Sequence, residues 1–245
     1  MHDEYLSWFF FQRAEILEIS GHSPTRHRQC FDPSIMKKAI SFNISKQRML
    51  GILDTEFNHS NKSFQRSTMH SALDNNAIAP EQYSRPGRVC IDYIFNRRTI
   101  DHHESNRLCL AMSMLDLQGC YDCIIHNAAA LALLRIGVPK AKIHSMFDII
   151  QRMINTLPTA FGDSDLTFGG EDFPNWENEP QGAIQGNASG PVIWLIPSSM
   201  IFSILWKKGL SVQFCSSLSK QLFVLVSFSF LDDCDLIQSG TGSSP

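Results

Sequence analysis

Two apolar runs dominate the hydropathy pattern of this chain. Leu108 to Leu117 is apolar apart from Ser113 and Asp116, the kind of short run that forms a strand buried on both faces. Phe223 to Leu231, FVLVSFSFL, is aromatic and β-branched with strand character. It ends in Asp232-Asp233, and the apolar pattern resumes through Leu236 and Ile237, which predicts strand, tight acidic turn, strand. Between the two runs the period becomes helical. Apolar positions 124, 125, 128, 131, 132 and 136 keep to one face and stop before Gly137, predicting a helix from Tyr121 to Ile136. A second helix is predicted from Pro139 to Ile154, with the proline near its first turn. Thr156 to Phe161 reads as a strand, and Gly162 to Pro180, with six acids, as a loop. The Gly-rich stretch Gln181 to Pro191 then enters an apolar segment, Val192 to Trp206, predicted as a mostly buried helix despite Pro197.

The upstream third is more polar. Trp8 to Ile19 predicts an amphipathic helix, followed by a basic turn over Gly21 to Arg28. Asp32 to Ile40 predicts a short helix with Asp32 as N-cap and Pro33 at its first position. Lys46 to Leu53 predicts a strand with basic residues at its start. Asp54 to Ser67 is a polar loop or exposed helix, with Thr68 capping a short helix over Met69 to Asn75. Ala79 to Arg88 is a turn-rich connector into an amphipathic helix over Val89 to Arg107. The order of elements predicts an α+β fold, with helices packed on one face of an antiparallel sheet.

A chain of 245 residues with 43% hydrophobic and 18% charged content is that of a folded protein with a real core, and excludes a disordered class. Seven cysteines at 30, 90, 109, 120, 123, 215 and 234 make no disulfide framework; Cys120 and Cys123 form a CxxC without a second ligand pair at zinc spacing. Asp3 and Glu4 precede only a short apolar patch, so no signal peptide is read, and the expected location is intracellular, nucleus or cytoplasm, not secreted. The window Pro191 to Trp206 is broken by Pro197-Ser-Ser and is short for a bilayer, so no membrane partner is expected. Net charge is −3, divided as +2 over residues 1–110 and −5 over 111–245. A complete nucleic-acid polymerase usually carries more positive charge along its template groove.

The chemistry sits at the ends of the apolar runs. Asp116 near the tip of one strand and Asp232-Asp233 between two others place acids where they can hold divalent cations between them. Singly, each signal has a plain explanation: Asp116 as a strand-end acid, Tyr121 as core packing, Gln185-Gly186 as a helix-entry turn. Together they agree in order and spacing. Asp116-Leu-Gln-Gly-Cys-Tyr121-Asp122 resembles the first palm motif of reverse transcriptases, Gln185-Gly186-Asn-Ala-Ser-Gly190-Pro191 resembles their QG motif, and Phe230-Leu231-Asp232-Asp233 their aromatic-x-Asp-Asp motif. The separations are 69 residues from Asp116 to Gln185 and 47 from Gln185 to Asp232. Glu81 to Arg88 resembles the fingers–palm segment of the family and Lys46 to Leu53 its basic fingers strand. The style is that of a eukaryotic retrotransposon or intron-type enzyme.

The resemblance implies a polymerase palm with partial fingers: an N-terminal extension over 1–45, fingers over 46–107, palm over 108–240 and a tail over 241–245. It implies that Asp116, Asp232 and Asp233 are catalytic and ligate two Mg²⁺ ions, with Mn²⁺ as a substitute. Tyr121 would lie under the incoming sugar and exclude a 2′-hydroxyl. Gln185 and Gly186 would line the nucleotide pocket, Arg48 with Lys46 would contact the triphosphate, and Arg85 and Arg88 would contact nucleic acid. The implied partners are an RNA template, a DNA primer and dNTPs, and the implied activity is RNA-directed DNA synthesis. Only 12 residues follow Asp233, so the thumb is expected to be missing and activity to be low. The competing expectation is a catalytically dead retroelement remnant that at most binds nucleic acid through Arg85, Arg88, Arg97 and Arg98.

Overall fold

The helical and extended periods resolve, in a computed structural model describing residues 2–36, 47–105, 110–116, 119–170, 181–215, 220–231 and 233–239, into six α-helices and eleven strands among the described residues. In chain order these are α1 (His2–Ser20), β1 (Gln29–Phe31), β2 (Ser34–Met36), β3 (Gln47–Met49), β4 (Ile52–Leu53), α2 (Thr55–Asp74) and α3 (Cys90–Ser105). There follow β5 (Leu110–Asp116), α4 (His126–Arg135), α5 (Lys140–Gln151), β6 (Ile154–Thr159), β7 (Gly162–Gly169) and α6 (Gly190–Lys207). The chain closes with β8 (Val212–Cys215), β9 (Leu222–Leu225), β10 (Ser227–Phe230) and β11 (Asp233–Ser239). It divides into two units, one of residues 1–72 with 121–193, the other of 73–120 with 194–245.

The first unit is organised on a four-stranded sheet of order β4-β1-β6-β7. β1 and β6 are parallel and the other neighbours antiparallel, so this sheet is mixed, not antiparallel throughout as the sequence pattern predicted. β7 occupies part of the segment predicted as loop, and the predicted helix at Asp32 is replaced by β2, paired with β3. The longest helix among the described residues, α2, runs through the segment read as a polar loop or exposed helix and on through the predicted short helix, with one face buried. Its cap is Asp54, whose Oδ1 accepts from the backbone N–H groups of Glu56 at 2.9 Å and Phe57 at 3.1 Å. Thr68 is a buried interior position of that helix, in line with Phe57, Asn61, Phe64 and Ala72.

Glu56, in the first turn of α2, receives the Arg13 guanidinium at 2.6 Å and that of Arg26. Partial burial opposes its ionisation. The hydrogen bonds from Arg26 and His27 and the charges of Arg13 and Arg26 outweigh this and hold the carboxyl below its usual value. A carboxyl depressed in the folded state stabilises the fold above its unfolded value, 4.5, and that contribution is lost as pH falls through the folded-state value. The melting temperatures of wild type and Glu56→Gln, separated at neutral pH, should therefore converge below pH 4.5. A gap that stays constant down the titration would refute the ion-pair role.

The second unit holds a three-stranded antiparallel sheet of order β10-β11-β5 and the hairpin pair β8-β9. The predicted run Phe223 to Leu231 divides at Val226, its first part pairing with β8 and its second with β11. Helices cover both faces of the three-stranded sheet rather than one. Phe228, Ile237 and Met112 pack with Ile100 and Tyr93 of α3, while Cys234 and Leu236, of opposite parity on β11, pack with Phe202 and Leu205 of α6. Among the described residues β5 is an edge strand, with Ala111, Ser113, Met114 and Leu115 exposed, and not a strand buried on both faces. α6 is long and apolar enough to cross a membrane by length and composition, yet Val192, Ile193, Leu195, Ile196 and Phe202 on it are core residues. It continues through Pro197, with Ser198 and Ser199 donating to the carbonyls of Trp194 and Leu195 at 2.8 and 2.7 Å.

Candidate active site

The acids predicted from the strand ends meet through sheet register. β11 and β5 are antiparallel, and Asp233 stands directly opposite Asp116 at the end of a seven-pair ladder running to Ser239 and Leu110. Directly opposed residues of such a pair have Cα atoms about 4.5–5.5 Å apart and share a sheet face. Phe230 pairs with Asp233, and Leu231, which follows Phe230, has φ 58, the positive φ that primed hairpin turns require. The Trp194 indole N–H donates to the Leu231 carbonyl at 2.8 Å and fixes that turn. Asp232 itself lies outside the described residues. Asp233 is exposed, so its charge carries no burial cost, and aspartates at two opposed strand positions are oxygen donors of the type that suits Mg²⁺ or Mn²⁺.

One strand step inward on the same face lies an acid that the motif reading passed over. Asp235 is 2% exposed. Its Oδ2 accepts from the Tyr93 hydroxyl at 2.7 Å and faces the Arg97 guanidinium at 3.7 Å. Burial, followed by the bond to Asp235, pushes the Tyr93 hydroxyl well above its usual pKa. Burial and the Asp235 charge push the neighbouring Cys234 thiol up to about 12. The two-residue spacing from Asp233 was the signal that would have found Asp235, since alternate strand positions share a face. Tyr83 and Arg88 stack, with the guanidinium 5.5 Å from the ring centroid, so Arg88 is exposed but anchored; Arg85 is half-buried.

The QG stretch belongs to the first unit and is tied down on both sides. Gly182 N–H donates to the Ile124 carbonyl and Ala183 N–H to that of Tyr121, each at 2.8 Å. On the other side Gly51 N–H donates to the Gln185 carbonyl at 2.7 Å, and Ala188 N–H to Asn58 Oδ1 at 3.0 Å. These bonds bring together Tyr121, Gln185, Gly186 and the segment carrying Arg48. Arg48 is exposed on β3, and Lys46 lies outside the described residues. The Tyr121 ring is half-buried against Gly190, where an added Cβ would lie 3.6 Å from it. Gly186 has φ 111, and its missing side chain permits close approach to the backbone of Gly51. Ile184, a β-branched residue, is held at φ 58, a strained conformation of the kind that concentrates at functional sites. Gly51 lies in the stretch read as a fingers strand, but its contact with the QG segment emerges only from this packing.

His27, Asp54 and Glu56 also bring ligand atoms within 4.8 Å of one another. Two guanidiniums already neutralise Glu56 there, which disfavours a cation.

No family model matches the sequence, and no curated protein matches it. Solved structures do. Apo telomerase from Candida tropicalis truncated from its C-terminal domain superposes with a TM-score of 0.53 at 13% identity, over 96% of this chain and 49% of that one. Apo telomerase from Candida tropicalis gives 0.53 at 14% identity, over 97% and 44%. The same organism's telomerase in complex with a TWJ fragment of telomeric RNA gives 0.52 at 14% identity, over 96% and 40%. The chain thus spans about half the length of the first of these structures, or less of the others. Mixed in its strand pairing and flanked by helices, it has a reverse-transcriptase-like fold.

Proposed function

We propose that the chain is the palm and partial fingers of an RNA-directed DNA polymerase of retroelement type, transferring dNTPs to a primer 3′-hydroxyl on an RNA template. The observation that carries the reading is the register that sets Asp116 opposite Asp233, supported by the reverse-transcriptase-like fold. Asp116, Asp233 and Asp232 hold two Mg²⁺ ions, or Mn²⁺, in this reading. When bound, such ions neutralise the triphosphate and favour attack by the primer hydroxyl. Tyr121 closes the sugar pocket against a 2′-hydroxyl, and Gln185 and Gly186 shape the pocket around the base pair. Arg48 with Lys46 contacts the triphosphate, and Arg85 and Arg88 contact strand phosphates.

Primer extension on an RNA template tests it. Extension with dNTPs, dependent on Mg²⁺ and poor with ribonucleotides, is the expected outcome; extension indifferent to divalent cations would overturn the reading. The charge balance, +2 over residues 1–110 and −5 over 111–245, counts against a complete template groove and supports a second reading, a retroelement remnant that at most binds nucleic acid through Arg85, Arg88, Arg97 and Arg98. Salt-sensitive binding without extension, unchanged in Asp232→Asn, would select it.

A further inference from the structure

We infer that Arg97 is a phosphate-contacting residue of the acid-tipped sheet, with Asp235 and Tyr93 as the residues that position it. The inference rests on the nucleotidyl-transfer reading and adds to that site a fixed cation.

The placement follows from two periodicities. On β11, positions 233 and 235 share a face; their partners on β5 are 116 and 114. On α3, residues 93, 97 and 100 recur at i, i+4 and i+7 and form one stripe, and Tyr93 and Ile100 of that stripe pack on this sheet face. The stripe delivers Arg97 to the sheet beside positions 114 and 235, one step from the acid pair, a rise of about 6.5–7 Å. Arg97 Nη1 is 3.7 Å from Asp235 Oδ2, and Nη2 donates to the Met114 sulfur at 2.8 Å.

The distances decide what Arg97 is free to do. At 3.7 Å the contact with Asp235 is an ion pair and not a hydrogen bond. Tyr93 supplies the hydrogen bond to that same oxygen. Among the described residues, the guanidinium therefore spends one donor, on Met114, of the roughly five it has. Its side chain is 40% exposed, whereas that of Asp235 is 3% exposed. Asp235 thus acts from below as a buried anchor. The guanidinium offers unspent donors to solvent beside carboxylates that suit metal ions. Cation-binding acids flanked by a fixed guanidinium match a ligand bearing phosphate oxygens, whether a nucleoside triphosphate or the phosphodiester of a strand.

Fluorescence anisotropy with a labelled dNTP and with a labelled single-stranded oligonucleotide separates these two sources. Titrations in Mg²⁺ over about 50–400 mM KCl give both affinity and salt slope. Arg97→Ala is expected to weaken at least one ligand about tenfold and, if the oligonucleotide is affected, to reduce its salt slope by about one. Arg97→Lys should restore the slope but not the full affinity, because it keeps the charge and loses the fork. Asp235→Asn should weaken binding in the wild-type background and not in Arg97→Ala, the non-additivity expected of a positioning residue. Should Arg97→Ala fail to fold by circular dichroism, Arg97→Lys and Arg97→Gln report the same slope. Loss for the dNTP alone assigns Arg97 to the nucleotide, and loss for the oligonucleotide alone assigns it to the strand. Unchanged affinity and slope for both overturns the inference. Asp116→Asn in the same titrations keeps the two ideas apart. If that variant loses Mg²⁺ dependence while Arg97→Ala binds normally, the metal reading stands and the Arg97 assignment falls; the reverse pattern keeps the phosphate contact and sinks the metal reading.

Discussion

Asp116→Asn should lower Mg²⁺-dependent primer extension by more than about 100-fold, since even residues behind a metal ligand cost 10–100-fold when replaced. The same substitution should leave the fold intact or slightly stabilise it. Asp116 and Asp233 are directly opposed, and like charges in that position repel across a sheet. Asparagine keeps the shape and removes one of the two charges, while the remaining ladder from Leu115–Cys234 to Leu110–Ser239 still fixes the register. In metal-free buffer the variant should therefore melt no lower than wild type. Addition of Mg²⁺ should then raise the wild-type melting temperature and move the variant much less, because a ligand that binds only the folded state stabilises it by mass action. This sign reversal separates a metal site from a merely structural acid pair. Equal Mg²⁺ shifts in the two proteins, or retained extension in the variant, would sink the assignment.

The hairpin bearing Asp232-Asp233 was legible because an aromatic and β-branched run, a pair of acids and a resumed apolar pattern each mark a strand or turn locally. α5 was legible for a similar local reason, its apolar period and Pro139, and α4 only in part: Gly137 marks its end, but it begins at His126 rather than Tyr121 and buries 126, 129, 132 and 133, leaving 125, 128 and 131 of the predicted face exposed. What failed depended on partners distant in sequence. β5 read as doubly buried from its composition, but burial is set by neighbours, and among the described residues it has a single strand partner, β11. The parallel pairing of β1 with β6 joins segments more than 120 residues apart and leaves no local trace. β7 was hidden by two acids and its flanking glycines.

α2, read as a polar loop or exposed helix followed by a short helix, shows why a buried face can be missed. Its buried positions 57, 61, 64, 68 and 72 do keep helical spacing, yet two of them are Asn61 and Thr68, which a hydropathy count treats as surface. At the candidate site, motif spacing singled out Asp116 and Asp233 but passed over Asp235 and Tyr93, and Arg97 entered only as a nucleic-acid contact of the competing reading, without its place beside these acids. Their relation is set by a helix stripe meeting a strand face, not by distance along the chain.

Gly186→Ala should destabilise the protein by about 3 kcal/mol or more, roughly a 10 °C fall in melting temperature for a chain of this size. Two costs combine. At φ 111 an L-residue is strained, at about 1–3 kcal/mol. The added methyl would also lie 2.3 Å from the Gly51 carbonyl oxygen, a backbone atom that has no rotamer by which to withdraw. Nor can Gly51 shift freely, because its N–H is bonded to the Gln185 carbonyl at 2.7 Å and a Cβ placed on it would meet Ile184 Cγ2 at 2.3 Å. The control is Gly137→Ala in the same unit. Gly137 has φ 87 with nothing within 4 Å of its added Cβ, so that variant carries the conformational cost without the collision and should lose about 1 kcal/mol. Urea melts of the two variants, compared by midpoint, isolate the collision as their difference. If both fall equally, the approach of Gly186 to Gly51 contributes nothing beyond backbone conformation, and the loop carrying Gln185 is not clamped by that segment.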